Sequence, residues 1–178
     1  MIDSLITSKT RIKLLLRFFL NSRASGYLRG LEQEFGDSSN AIRLELNRFE
    51  EAGLLEASLE GNKKYYTANT DHPLYSDINN IIRKHIGLDQ IVSNVIERLG
   101  QLEAVYLTGS FARGLDSSII DILLIGDVDQ SYLSQLMHKV EALISRRIRY
   151  IVYRENSAVT WSDIGADRLL LWQNGKTK

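Results

Sequence analysis

Apolar residues in the first half of the chain recur at helical spacing and then change to short extended runs. Between Ser8 and Leu20, Ile12, Leu15, Leu16 and Phe19 fall on one stripe, which predicts a helix with Ser8 as its N-cap. A second helix is expected over 27–35, stopping at Gly36, and a third from just after Asp37-Ser38 to Glu51, stopped by Gly53. In the third helix Ile42, Leu46 and Phe49 share one stripe and should face a core. Two strand-like runs, 55–59 and 63–68, flank Glu60-Gly61-Asn62, a tripeptide suited to a hairpin turn.

The polar positions of the same segment carry the candidate chemistry. Opposite the apolar stripe of the third helix lie Asn40, Arg43, Leu44 and Asn47, with Ser39 in the first turn. Asn and Arg can bond bidentately to adenine and guanine edges in a major groove, and Leu44 can touch a thymine methyl. Lys63 and Lys64 are expected at the hairpin tip, and Arg29 on the second helix, where each can reach backbone phosphates. Taken singly, each is also what any solvated surface carries. Together with a Gly-containing turn between the second and third helices, they predict a helix-turn-helix followed by a wing.

The strings Tyr27-Leu28-Arg29 with Leu31, Ser38 to Leu46, Glu51-Ala52-Gly53-Leu54-Leu55 and Gly61-Asn62-Lys63-Lys64-Tyr65-Tyr66 resemble the winged-helix domain of arsenic-repressor-type (ArsR-like) bacterial regulators. The resemblance spans roughly residues 5–70 and implies binding to double-stranded DNA. Winged-helix readers of palindromic sites are commonly dimers, so a homodimer is expected. The cysteine or histidine metal-sensing positions of such regulators are absent, and metal-responsive repression is not implied.

Pro73, the single proline, should end the hairpin region. Beyond it, 74–86 and 88–99 read as amphipathic helices able to bridge domains or pair subunits. The apolar run 104–107 then predicts a strand, broken by Thr108-Gly109-Ser110-Phe111-Ala112-Arg113-Gly114. Such a loop can present backbone N–H groups and the Ser110 hydroxyl to a phosphate. A second strand, 119–125, holds Asp121 inside an apolar run, where a carboxylate is costly unless paired or bound to a cation.

This second half, roughly 88–178, resembles the minimal nucleotidyltransferases of the DNA polymerase beta-like superfamily. Their signature is Gly-Ser-x-x-x-Gly followed by a strand bearing Asp-x-Asp. The resemblance implies nucleotide binding at Gly109, Ser110, Arg113 and Gly114; no cofactor is expected to be required, with Mg2+ and ATP kept as alternatives. Asp121 is then the residual candidate for metal binding and catalysis. Residues i and i+2 of a strand face the same way, so paired aspartates can clamp two metal ions about 4 Å apart. Here the partner position is aliphatic in either alignment, Ile119 or Leu123. The next predicted strand, 148–153, has no acid to act as third ligand. Asp116, Asp127 and Glu155 lie in predicted loops, and Arg147 and Arg149 would compete with a divalent cation.

Composition sets the outer limits. The 178 residues, 44% hydrophobic and 25% charged, suit one large or two small globular domains. With no cysteine and three scattered histidines, disulfides, thiolate chemistry and zinc sites drop out. The apolar stretch 14–20 contains Arg17 and is too short to span a membrane, so a cytoplasmic location without membrane contact is expected. The overall charge is zero, with 22 basic and 22 acidic residues, and residues 1–86 hold 12 Lys and Arg against 11 Asp and Glu. A DNA-binding surface must therefore come from where the charges point.

The sequence thus predicts an α+β protein: a winged helix-turn-helix over 1–72, a linker helix over 73–87, and a small α/β nucleotidyltransferase-like domain with a mixed sheet over 88–178. The expected function is transcriptional regulation through duplex DNA, with a catalytically inactive second domain serving sensing, dimerisation or partner binding. Two alternatives stay open. One is an active nucleotidyltransferase modifying a protein or small molecule, and the other is an antitoxin-like protein-interaction module.

Overall fold

The computed structural model describes residues 2–99, 102–154 and 167–175. The chain divides into two compact units, Met1–His85 and Ile86–Lys178. In the first unit, Ser8 accepts a hydrogen bond from the Arg11 N–H and opens helix α1 (Lys9–Leu15). The helix continues as a π-helical stretch, Leu16–Leu20, in which Leu16, Phe18, Phe19 and Leu20 are all buried. Strand β1 (Ser25–Tyr27), helix α2 (Leu28–Phe35) and helix α3 (Ser39–Glu51) follow. Ser38 caps α3 by accepting from the Ala41 N–H at 3.3 Å, satisfying one of the amides a helix start leaves open.

The expected apolar stripe of α3 is fully internal: Ile42, Leu46 and Phe49 are buried, and Phe49 meets Phe19 edge to face at 6.4 Å. Strands β2 (Leu55–Glu60) and β3 (Lys63–Ala68) form a hairpin paired from Leu55↔Ala68 to Glu60↔Lys63, which leaves Gly61-Asn62 as a two-residue turn. Gly61 takes φ +62°, the sign needed at the first position of such a turn. Strand β1, which the periodicity does not predict, pairs antiparallel with β3, giving the order β1-β3-β2. The helix expected as a linker over 73–87 is α4 (Tyr75–Ile86). Tyr75 stacks on Phe19 at 5.7 Å and Asn79 donates to the Phe19 carbonyl, so the start of α4 belongs to the first core.

The second unit begins with α5 (Leu88–Ile91), a π-helical stretch Val92–Ile96 and α6 (Glu97–Leu99). Strand β4 (Leu102–Thr108), a single helical turn α7 (Gly109–Ala112) and strand β5 (Ile119–Gly126) come next. Helix α8 (Gln130–Ile144), capped by Asp129, then leads to β6 (Arg147–Tyr153), and β7 (Leu169–Gln173) completes the sheet. The order is β6-β5-β4-β7, with β5 and β6 parallel and the other pairs antiparallel, so the sheet is mixed as expected. Alternation along β5 buries Ile120, Ile122 and Leu124 on one face and puts Asp121 on the other. Helix α8 and strand β7 carry no sequence expectation.

Candidate nucleic-acid interface and the Gly-Ser turn

Helix α3 is held by a buried carboxylate. Glu45, only 5% exposed, accepts from the Ser8 hydroxyl at 3.0 Å and from Arg11 Nε at 2.9 Å, and pairs with Arg48 at 3.3 Å. Burial pushes its carboxyl up, but the hydrogen bonds from Arg11 and Ser8 and the charges of Arg11 and Arg48 outweigh that and hold it below the ordinary glutamate value. One residue thereby joins the cap of α1 to the middle of α3. Nothing in the sequence pattern singles Glu45 out. It lies three residues after Ile42 on the buried stripe, where an acid survives only because its partners come from a distant part of the chain.

The opposite side of α3 is open. Asn40, Arg43 and Asn47 are exposed, Leu44 is 51% exposed, and Ser39 is half-buried in the first turn. A cleft of about 500 Å³ lies among α2, α3 and the hairpin. Four cations line it, Arg29, Arg43, Lys63 and Lys64, with the amides of Asn47 and Asn62. Tyr27, Leu28, Leu46 and Tyr66 supply the rest of its wall, so among the described residues no acid lines it. Ser39, Asn40 and Leu44 lie outside the cleft lining.

The two lysines are not loose at the hairpin tip. Lys63 Nζ stands 4.5 Å over the Tyr27 ring, and Lys64 Nζ lies 5.3 Å from the Tyr66 ring and 2.7 Å from Glu50 of α3. The hydrogen bond and charge of Glu50 raise the Lys64 ammonium above its usual value. Tyr27, Asn62 and Tyr66 are lining residues that sequence reasoning did not assign a role. Their signal was present only as part of a family-like string.

In the second unit, Gly109-Ser110 opens the turn α7 rather than an extended loop. The N–H groups of Arg113 and Leu115 bond to the Ser110 carbonyl and that of Gly114 to the Phe111 carbonyl. Those three amides are spent inside the turn. Ser110 is half-buried, Arg113 is exposed, and Gly109 has φ +64°. A Cβ on Gly109 would lie 2.1 Å from Asp121 Oδ2, so the carboxylate occupies the space a side chain would fill.

Asp121 is answered by protein. Register places Thr108, Asp121 and Arg149 side by side on β4, β5 and β6, and Arg149 Nε lies 2.5 Å from Asp121 Oδ1. Asp121 holds the guanidinium more firmly protonated through that bond and its charge. Ile119 and Leu123 occupy the same-face positions before and after Asp121. Asp116 pairs with Arg146 at 3.0 Å and Asp127 with Arg154 at 3.4 Å, while Glu155 lies outside the described residues. Among the described residues no group of three His, Cys, Asp or Glu side chains could hold a metal ion. The residues present therefore do not fit the magnesium site that the resemblance implies. In the structure Asp121 is the ion-pair partner of Arg149.

No family model matches this chain, and no curated protein does. Among solved structures, AF1382 from Archaeoglobus fulgidus is similar at 20% identity with a TM-score of 0.39, over 47% of this chain and 96% of that one. A candidate nucleotidyltransferase from Sulfolobus solfataricus is similar at 32% identity with a TM-score of 0.36, over 57% of this chain and 90% of that one. A chain in the structure of the tri-AMPylated Shewanella oneidensis HEPN toxin in complex with MNT antitoxin is similar at 19% identity with a TM-score of 0.38, over 51% of this chain and 72% of that one. No helix among the described residues is long and apolar enough to cross a membrane.

Proposed function

We propose that this protein is a transcriptional regulator that binds double-stranded DNA through its first unit, a winged helix-turn-helix of ArsR-like type. The reading rests on one observation: Arg43 and Asn47 of α3 and the lysines of the β2–β3 hairpin line a single concave surface on which, among the described residues, no acid lies. Asn40, Arg43 and Asn47 are the base-reading candidates, with Leu44 for a thymine methyl. Arg29, Lys63 and Lys64 take backbone phosphates, and Ser39 lies within reach of the same strand. A net-neutral chain can bind a polyanion in this way because four cations are gathered at one surface while acids such as Glu45 and Asp37 pair with other cations, Arg11 and Lys13.

We read the second unit as a nucleotidyltransferase-like domain that does not transfer nucleotides and serves homodimer formation or partner contact. Support comes from Asp121, whose charge is taken by Arg149 and whose same-strand neighbours are aliphatic. The DNA reading is tested by selecting bound duplexes from a random pool and measuring the selected site by fluorescence anisotropy at two salt concentrations. Arg43→Ala should weaken the selected site by about 1–3 kcal/mol and relax one base position. Equal binding by the wild type and that variant removes Arg43 from the readout. For the second unit, labelled ATP with magnesium should give no transfer. Label incorporation that Asp121→Asn abolishes would restore a catalytic role.

A further inference from the structure

The cleft of the first unit has the makings of a small-molecule site as well as a groove contact. Its volume of about 500 Å³ falls in the range of ligand pockets, about 300–1,000 Å³. Two of its four cations, Lys63 and Lys64, are pre-positioned rather than free-swinging. Lys63 rests over Tyr27 and Lys64 beside Tyr66, so part of the ordering cost is met before a ligand arrives. Asn47 and Asn62 each offer two N–H donors and a carbonyl acceptor, the functional groups that match a heteroaromatic edge. Leu28 and Leu46 add apolar lining. Glu50, which does not line the cleft, holds Lys64 at 2.7 Å and so competes with any incoming anion.

We propose that this cleft binds a free nucleoside triphosphate, phosphates on Arg29, Arg43 and Lys63 and base edge on Asn47 and Asn62, and that the bound nucleotide excludes duplex DNA. Lys64 joins the phosphate contacts only when it leaves Glu50, so the ion pair acts as an internal brake on binding. The exclusion rests on the DNA-binding reading given above, whereas nucleotide binding does not.

Calorimetry on the full chain with magnesium-free ATP, tripolyphosphate and adenosine separates the sources, and 15N spectra report the Asn47 and Asn62 side-chain amides directly. ATP should bind and shift both amides, and adenosine should not bind. Arg43→Ala should weaken ATP about tenfold, as expected for loss of one charge-assisted contact. Glu50→Gln should tighten ATP by releasing Lys64. ATP-induced shifts confined to residues 108–115, or an Arg43→Ala chain that binds ATP normally, would overturn the site. Tripolyphosphate binding as tightly as ATP would overturn the nucleotide class and leave a plain polyphosphate site. A chain that binds ATP here but no duplex at all contradicts the DNA reading alone. One that binds both without competition contradicts the exclusion.

Discussion

Glu45→Gln tests whether α3 is set by its buried carboxylate. Glutamine keeps the shape and an oxygen for the Ser8 hydroxyl, but it turns an amide toward Arg11 where a carboxylate oxygen now accepts at 2.9 Å. The change removes a charge-assisted bond worth about 1.5–3 kcal/mol. Because the Arg11 side chain is 35% exposed and can rehydrate, the lower part of that range applies, about 2 kcal/mol. Arg48, 51% exposed, adds only a few tenths. For a unit of 85 residues, about 2 kcal/mol lowers the melting temperature by about 8–16 °C. The pH dependence has a definite sign. Glu45 titrates below its ordinary value in the folded state, so its contribution is complete above that value and disappears as pH falls through the lowered one. Thermal unfolding of both full chains should therefore show a wide gap at neutral pH that closes in acid. A melting temperature that does not move, or a gap of constant width from neutral pH to about pH 3, would refute the network as drawn.

Other outcomes follow from single contacts. Asp37, held below the usual aspartate range against the opposing effect of burial by Lys13 and Thr10, carries the same sign as Glu45. Asp37→Asn should lower the melting temperature at neutral pH and match the wild type once the wild-type aspartate is protonated. Ser38→Ala removes the α3 cap and should cost about 1 kcal/mol in denaturant titration without altering the dependence on denaturant concentration. Gly109→Ala forces a side chain into φ +64° and against Asp121, so it should destabilise by about 2 kcal/mol or more from backbone strain and the displaced carboxylate. Normal unfolding of Gly109→Ala would mean the carboxylate is not fixed there. Arg149→Ala should leave magnesium binding weak in calorimetry, because one aspartate flanked by Ile119 and Leu123 remains a single ligand.

Local signals carried much of the first unit. The 3.6-residue spacing of Ile42, Leu46 and Phe49, the cap at Ser8 and a turn within 60–62 are each decided within a few residues, and they appear where the pattern puts them, although Glu60 joins β2 and leaves Gly61-Asn62 as the turn. What the pattern lacked was long range. Strand β1 is three residues long and exists because β3 pairs with it, a partner roughly forty positions away. Glu45 reads as a polar position on a helix until Ser8 and Arg11 are folded against it. The cleft combines Tyr27 and Arg29 with Asn62 and Lys63, residues that only tertiary packing brings together. In the second unit the isolated Asp121 was legible as a charge in need of a partner. That the partner is Arg149 required the parallel register of β5 and β6.

That register bears directly on what the second unit can do. A carboxylate facing a sheet surface needs compensation, and a strand neighbour can supply it permanently, whereas a metal ion must be recruited from solution. Arg149 sits beside Asp121 at hydrogen-bond distance, and the acid that would favour a divalent ion over a guanidinium is missing at both neighbouring same-face positions. A lone carboxylate already paired with a planar cation gains little by exchanging it for magnesium, which dehydrates reluctantly and prefers several hard oxygen ligands. The Gly109 turn completes the arrangement, since its bare Cα lets Asp121 lie flat against the backbone. The same glycine that a phosphate-binding reading would assign to a nucleotide is thus needed here for an internal ion pair. Gly109 and Asp121 are thus engaged with one another and with Arg149, whereas the cleft of the first unit is lined by four cations of which, among the described residues, Lys64 alone has an acid within salt-bridge distance.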